Sequence, residues 1–152
     1  ELKNKLKTNI AGGEAEFTKW GWKHLIQNRC IDIAQPEVCG LGGITEYLKV
    51  VALAQANFIP VVNHVWGSAL SIAVNLHLLT AMPDTPGGLF PAKPMLEFDT
   101  TDKNVFISDL TEEKFDIFDQ VKNNNGFVEA LEGHGIGLNP SKDFIKKYEV
   151  NK

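Results

Sequence analysis

Cys30-Ile-Asp-Ile-Ala-Gln-Pro-Glu-Val-Cys-Gly-Leu-Gly-Gly-Ile-Thr-Glu-Tyr-Leu-Lys49 sets a pattern that the rest of the chain repeats. It opens as a short apolar run, Cys30 to Ala34, of the kind that makes a strand buried on both faces. The run breaks at Gln35-Pro36, passes a lone acid at Glu37 and turns through Gly40, Gly42 and Gly43. From Ile44 the apolar spacing lengthens to that of an amphipathic helix, through Tyr47, Leu48, Val51 and Ala52. Strand, glycine-rich loop and helix thus follow one another, with an acid at the handover. In α/β folds ligands gather at the carboxyl ends of strands, so Glu37 stands where chemistry is done.

Working outward, the same unit recurs. Asn9 to Glu14 reads as a brief strand ending in two glycines and an acid, followed by a helix to about Asn28. Phe17, Trp20, Leu25 and His24 are expected on one face of that helix. Pro60-Val-Val-Asn-His64 is a third strand, with Pro60 tolerable because it comes first. Ser68 is a plausible N-cap for a helix from about Ala69 to Ala81. Met82 to Gly88 is turn chemistry, extending as a loop to about Lys93. Pro94-Met-Leu-Glu97-Phe is a fourth short strand. Beyond it, Ile117 to Val121 and Phe127 to Leu131 flank Lys122-Asn-Asn-Asn-Gly126, which reads as a β-hairpin. Gly133 to Gly137 is a loop, and Ser141 to Tyr148 a terminal helix.

Strand and helix alternating every ~20–35 residues imply a parallel sheet with right-handed crossovers. Glu14, Glu37, His64 and Glu97 would then all emerge on the same side. That constellation is more specific than any of its members.

Composition sets the bounds. The chain has 152 residues, 43% apolar and 22% charged, which suits one globular domain with a real core. A net charge of −4 with scattered Lys and Arg argues against a nucleic-acid or anionic-membrane footprint. No apolar run approaches the ~18 residues of a membrane span, and the start carries no leader pattern. Cys30 is expected as a buried strand thiol, and Cys39 as a loop thiol with no activating base beside it. Two cysteines fit a reducing, cytoplasmic setting. The opening Glu-Leu-Lys, without Met, reads as part of something longer.

Ala11-Gly-Gly-Glu14, Ile31-Asp-Ile-Ala-Gln-Pro-Glu37 with Gly42-Gly-Ile-Thr-Glu46, Pro60-Val-Val-Asn-His64 and Leu96-Glu97 together resemble the mandelate racemase and muconate lactonizing enzyme family of the enolase superfamily. The likeness is strongest from Gly12 to Ser68, and the tail Gly133-His-Gly-Ile-Gly-Leu138 is similar to the family's Pro-Gly-Leu-Gly close. It implies an α/β chain that is the C-terminal half of a TIM-type (β/α) barrel, about four βα units out of a whole of ~250 residues. Residues 1–100 would hold barrel strands five to eight. Residues 101–152 would form an extension of hairpin, glycine-rich loop and terminal helix packed on the barrel and its capping region.

The resemblance also implies roles. Glu14 matches a metal ligand, a hard oxygen suited to Mg²⁺; a helix-capping acid is the alternative. His64 matches the general base of strand seven, although a core or capping histidine is the plain reading of such a residue. Glu37 matches the acid that pairs with that histidine. The family usually has Asp here, and the extra methylene lengthens the reach by ~1.5 Å. Glu97 matches a strand-eight acid that donates a hydrogen bond to the substrate carboxylate, a task for a buried, protonated carboxyl. Trp66 and Phe90 are candidate pocket aromatics. His24 and His77 belong to helices, His134 to the tail loop, and Asp32 and Asp99 read as structural acids.

The implied activity is Mg²⁺-dependent removal of the proton α to a carboxylate, foremost in an acid-sugar dehydratase acting on a sugar acid or 2-hydroxy acid. A racemase is the alternative. A third possibility is a fragment inactive without its missing half, whose exposed strand edges favour homo-oligomers. Lactonizing and dipeptide-epimerising relatives carry a lysine where this chain has Glu37, which counts against those activities.

Overall fold

The computed structural model describes residues 2–82, 93–101 and 104–150, and these carry four strands and seven helices. The chain divides into two compact units, one of Glu1–Val65 with Ala81–Glu97 and one of Trp66–Thr80 with Phe98–Lys152. No helix among the described residues is long and apolar enough to cross a membrane.

The first unit holds all the strands: β1 (Ala11–Gly12), β2 (Ile33–Ala34), β3 (Val62–Asn63) and β4 (Met95–Leu96). β1 pairs with β2 and β3 with β4, both parallel, and a parallel bridge from Ala34 to Val61 joins the pairs in the order β1-β2-β3-β4. Each strand is two residues long, but the backbone ladder runs on at the C-terminal side. Gln35 N–H donates to Gly12 O, His64 N–H to Pro36 O and Glu97 N–H to Asn63 O. Parallel neighbours in chain order are what strand–helix alternation demands.

Helices α1 (Thr18–Gln27) and α3 (Gly43–Ala56) connect these strands and pack against each other. Tyr47, Val50, Val51 and Ala54 form the buried face of α3, at the helical period the sequence shows. In α1 the buried residues are Trp22 and Ile26, whereas Phe17 and Trp20, expected on the core face, are exposed. The cause lies in Gly13, at φ 110°. A Cβ there would lie 2.4 Å from Cη2 of Trp22, so the indole occupies space that only a glycine leaves open. Glu46 then ties the helices together. Its carboxylate accepts from Lys49 Nζ and from the Lys19 backbone N–H, and these bonds hold its pKa down at about 2.

α1 and α3 also end alike. Asn28 and Asn57 close them, and the next residues, Arg29 (φ 50°) and Phe58 (φ 57°), are left-handed. Cys30 N–H then donates to Leu25 O at 2.9 Å, and Ile59 N–H to Ala54 O at 3.0 Å. These are the six-to-one bonds of a Schellman stop. Each asparagine also turns its side-chain amide onto the carbonyl four residues back, that of His24 or Leu53, at 2.9 Å. This turn corrects one expectation. Cys30 belongs to the helix stop rather than to the strand, and its thiol is exposed.

A second correction follows β2. Where a glycine-rich loop is expected, Val38–Leu41 makes a helical turn, α2, with Glu37 as its N-cap. The Glu37 carboxylate accepts from the backbone N–H groups of Cys39 (3.1 Å) and Gly40, meeting two of the donors a helix start leaves open.

Helix α4 (Ala69–Ala81), which lies in the second unit up to Thr80, has seven buried residues on several sides, and Ser68 Oγ accepts from Ser71 N–H as an N-cap should. Short helices α5 (Val105–Ser108) and α7 (Lys142–Tyr148) are capped by Asn104 and Ser141. Phe106 and Phe144 meet edge to face at 5.6 Å, and Tyr148 lies 4.6 Å from Phe144. The expected hairpin is absent. Ile117–Asn123 is a helix, α6, and residues 127–131 form no strand. The Asn-Gly signal ends that helix instead of turning a strand: Asn125 and Gly126 have φ of 53° and 83°, and Gly126 N–H donates to Val121 O at 2.9 Å. The same left-handed chemistry serves both turns, and Ile117 and Val121 four apart suit the helix. The expected extended loop at 83–92 lies outside the described residues.

Candidate active site

Gln35, His64 and Glu97 each leave their strand directly, and Glu14 follows β1 after one glycine. The ladder bonds to Gly12, Pro36 and Asn63 fix the backbones of the first three. Asn63, just before His64, is fully buried, and its Oδ1 accepts from the Tyr47 hydroxyl. Burial pushes the Tyr47 phenol well above its ordinary value, so it stays a neutral donor.

The side chains converge on the imidazole. His64 is largely sheltered, at 17% exposure, and its Nδ1 lies 2.9 Å from Glu97 Oε2 and 3.4 Å from Glu14 Oε2. Only the first is within ordinary hydrogen-bonding distance. The same Glu97 oxygen accepts from the Gln35 side-chain amide at 2.8 Å. A carboxylate acceptor at Nδ1 favours the ring proton there, and Nε2 has no hydrogen-bond partner among the described residues. A ring held so can take a proton at Nε2 and return it.

Two expected arrangements differ from this. Glu37 is expected to pair with His64, yet its carboxylate is committed to the start of α2, and no hydrogen bond or ion pair joins the two among the described residues. Glu97 is expected to be buried, yet its side chain is 50% exposed, and its Oε2 serves as an acceptor. Glu14 stands where expected, at the C-terminal end of β1, with its side chain 59% exposed. Open carboxylate oxygens suit a hard divalent cation. Among the described residues no group of three or more His, Cys, Asp or Glu gathers to hold one.

Gln35 is the residue that sequence reasoning passes over. An uncharged amide beside a proline reads as a strand breaker. Its signal is positional, because it leaves β2 as His64 leaves β3. Trp66 is exposed and belongs to the second unit, where it helps Thr101 hold the Asp99 carboxyl below the usual range. Phe90 lies outside the described residues. His77 Nε2 sits 3.2 Å from Ile136 O, a structural contact. His24 makes no side-chain hydrogen bond among the described residues, although its carbonyl anchors the α1 stop. Asp32 pairs with Lys3, as a structural acid should.

Comparison with known proteins shows what the chain is similar to. The chain is 31% identical over 141 residues to D-galactarolactone cycloisomerase of Agrobacterium fabrum, covering 93% of this chain and 35% of that protein. It is 32% identical over 81 residues to arabinonate dehydratase of Saccharolobus solfataricus, covering 53% of this chain and 22% of that one. Among solved structures it superposes on 3,6-anhydro-D-galactonate cycloisomerase of Zobellia galactanivorans with a TM-score of 0.79 at 31% identity, covering 97% of this chain and 37% of that one. The chain thus spans about a third or less of the length of these relatives. Residues 1–144 match the family described as enolase C-terminal domain-like. The chain belongs to that family, and so to the enolase superfamily.

Proposed function

We propose that this chain is the C-terminal half of a (β/α) barrel whose whole enzyme removes the proton α to the carboxylate of a sugar acid, foremost as a dehydratase. The observation that carries the reading is the convergence of Glu14, His64 and Glu97 at the C-terminal ends of parallel strands, with His64 Nδ1 2.9 Å from Glu97. β1 and β4 each pair on one side only among the described residues, as the ends of a partial barrel would. On this reading residues 1–100 carry barrel strands five to eight, and residues 101–152 pack on the barrel and its capping region.

The proposed chemistry follows from the side chains. His64 Nε2 takes the α-proton, and the resulting imidazolium returns it to the hydroxyl leaving the β-carbon, so the net loss is one water. Glu97 Oε1, the oxygen free of Gln35 and His64, is left to accept from a substrate hydroxyl. Glu37 contributes by fixing the turn after Pro36, whose carbonyl receives His64 N–H. Glu14 would be this chain's ligand to Mg²⁺, which when bound supplies positive charge for the electron density developing on the substrate carboxylate. The remaining ligands would come from the other half, without which the chain would be inactive and prone to associate.

A second reading has a specific support. Two cycloisomerases, each 31% identical to this chain, match more than nine-tenths of it. In that version His64 takes the same proton, but the departing oxygen belongs to a ring, so the product is an isomer rather than a dehydrated acid. The test is His64→Asn in the whole enzyme, with sugar acids and lactones as substrates in D₂O. We expect α-proton exchange and turnover to fall about 10²–10⁴-fold. Unchanged exchange would remove His64 as the base, and the product of the parent enzyme separates dehydration from isomerisation.

A further inference from the structure

We propose that Gln35 is a positioning residue for His64, acting through Glu97, and that Glu97 rather than Glu37 sets the imidazole's tautomer. The inference deepens the proposed function and rests on it for its catalytic meaning, but the geometry stands by itself.

Glu97 Oε2 accepts two hydrogen bonds, from Gln35 Nε2 at 2.8 Å and His64 Nδ1 at 2.9 Å. A carboxyl oxygen has two lone pairs in the carboxyl plane, so two donors on one oxygen fix the direction of both. Without Gln35 the Glu97 side chain, half exposed, is free to turn about its last torsion and present either oxygen, or neither, to the ring. With Gln35 in place, Oε2 is committed to Nδ1 and Oε1 is left for a substrate. One amide thereby orders both functions of one carboxylate.

The groups that face His64 leave little competition. Glu14 Oε2 is a more distant acceptor at 3.4 Å, and Glu37 is occupied at the start of α2. The ladder anchors Gln35, His64 and Glu97 on three neighbouring strands, so none depends on a long loop for its place. A second carboxylate closer to the ring would make Gln35 dispensable, and none is present among the described residues.

The test reads the tautomer directly, from imidazole ¹⁵N shifts of the ¹⁵N-histidine-labelled chain, free of metal, at a pH where the ring is neutral. Free neutral histidine in water favours Nε2–H, so dominance of Nδ1–H at His64 is informative. We expect Nδ1–H to dominate in the parent. In Gln35→Met, which keeps the length without the donor, the Nδ1–H to Nε2–H ratio should fall roughly five-fold, the weight of one hydrogen bond. Gln35→Lys, which keeps a donor for Oε2, should restore it, and Glu97→Ala should abolish the preference. A parent that is mainly Nε2–H, or a Gln35→Met ratio equal to the parent's, overturns the inference. The parent measurement is decisive even if a variant fails to fold. A preserved tautomer in a whole enzyme with no α-proton exchange would overturn the catalytic reading alone.

Discussion

The two ends of the sheet in the first unit are built on opposite principles. At the N-terminal end Asp32 is neutralised, with Lys3 Nζ 2.7 Å away and the Ile10 N–H donating at 3.0 Å. At the C-terminal end Glu14 and Glu97 face an imidazole, and neither forms an ion pair with a lysine or arginine among the described residues. One end uses its charge to hold the fold together. The other leaves its carboxylates without a lysine or arginine partner among the described residues, as the proposed function asks of them.

Substitutions should separate the two ends. The largest effect on stability is expected beneath the C-terminal end, at Gly13→Ala. That change meets both a φ of 110° and Trp22 Cη2 at 2.4 Å. It should cost about 3 kcal/mol in urea denaturation of the chain; a loss below about 1 kcal/mol would show that the indole moves aside freely. Tyr47→Phe is next. It removes the donor to buried Asn63, the residue just before His64, and should cost about 1–2 kcal/mol. His64 ¹⁵N shifts that stay unchanged in this variant would show that Asn63 keeps its place without the phenol.

The smallest effect is expected at the other end, in Asp32→Asn. The Lys3 ammonium and the Ile10 amide hold the Asp32 carboxyl below the usual range in the folded chain. A depressed folded pKa stabilises above the unfolded value and is lost as pH falls through the folded one. Parent and variant should therefore differ slightly at pH 7, less in high salt, and converge in acid. A difference in urea midpoint that grows on acidification would contradict this pairing.

The parts of the fold legible in the sequence are those where one pattern has one physical solution. The strand–helix alternation through Ala81, the Ser68 cap and the strand-end positions of Glu14, His64 and Glu97 are of that kind, because period and position suffice to read them. Asn125-Gly126 is not, since residues with positive φ stop a helix as readily as they turn a hairpin. Val38–Leu41 was hidden by Gly40 and by the Gly42-Gly43 pair that follows it, and Glu is an uncommon N-cap. The Glu37–His64 pairing fails for a different reason: neighbouring positions at a sheet end do not say which way a side chain points. Glu37 had two backbone amides closer to hand. Gln35 carries no charge and so gave no chemical signal.

The matched stops of α1 and α3 bear on how this scaffold can change. Gln35 stands seven residues after Asn28, and His64 seven residues after Asn57. The turn is therefore a spacer of fixed length, delivering each strand to the sheet in the same phase. One residue added or lost within it would send His64 to the opposite face, because side chains alternate along a strand. Arg29 and Phe58, both exposed on the turn, show how little its chemistry is constrained. Substitutions there are cheap for the molecule, while insertions and deletions dismantle the site.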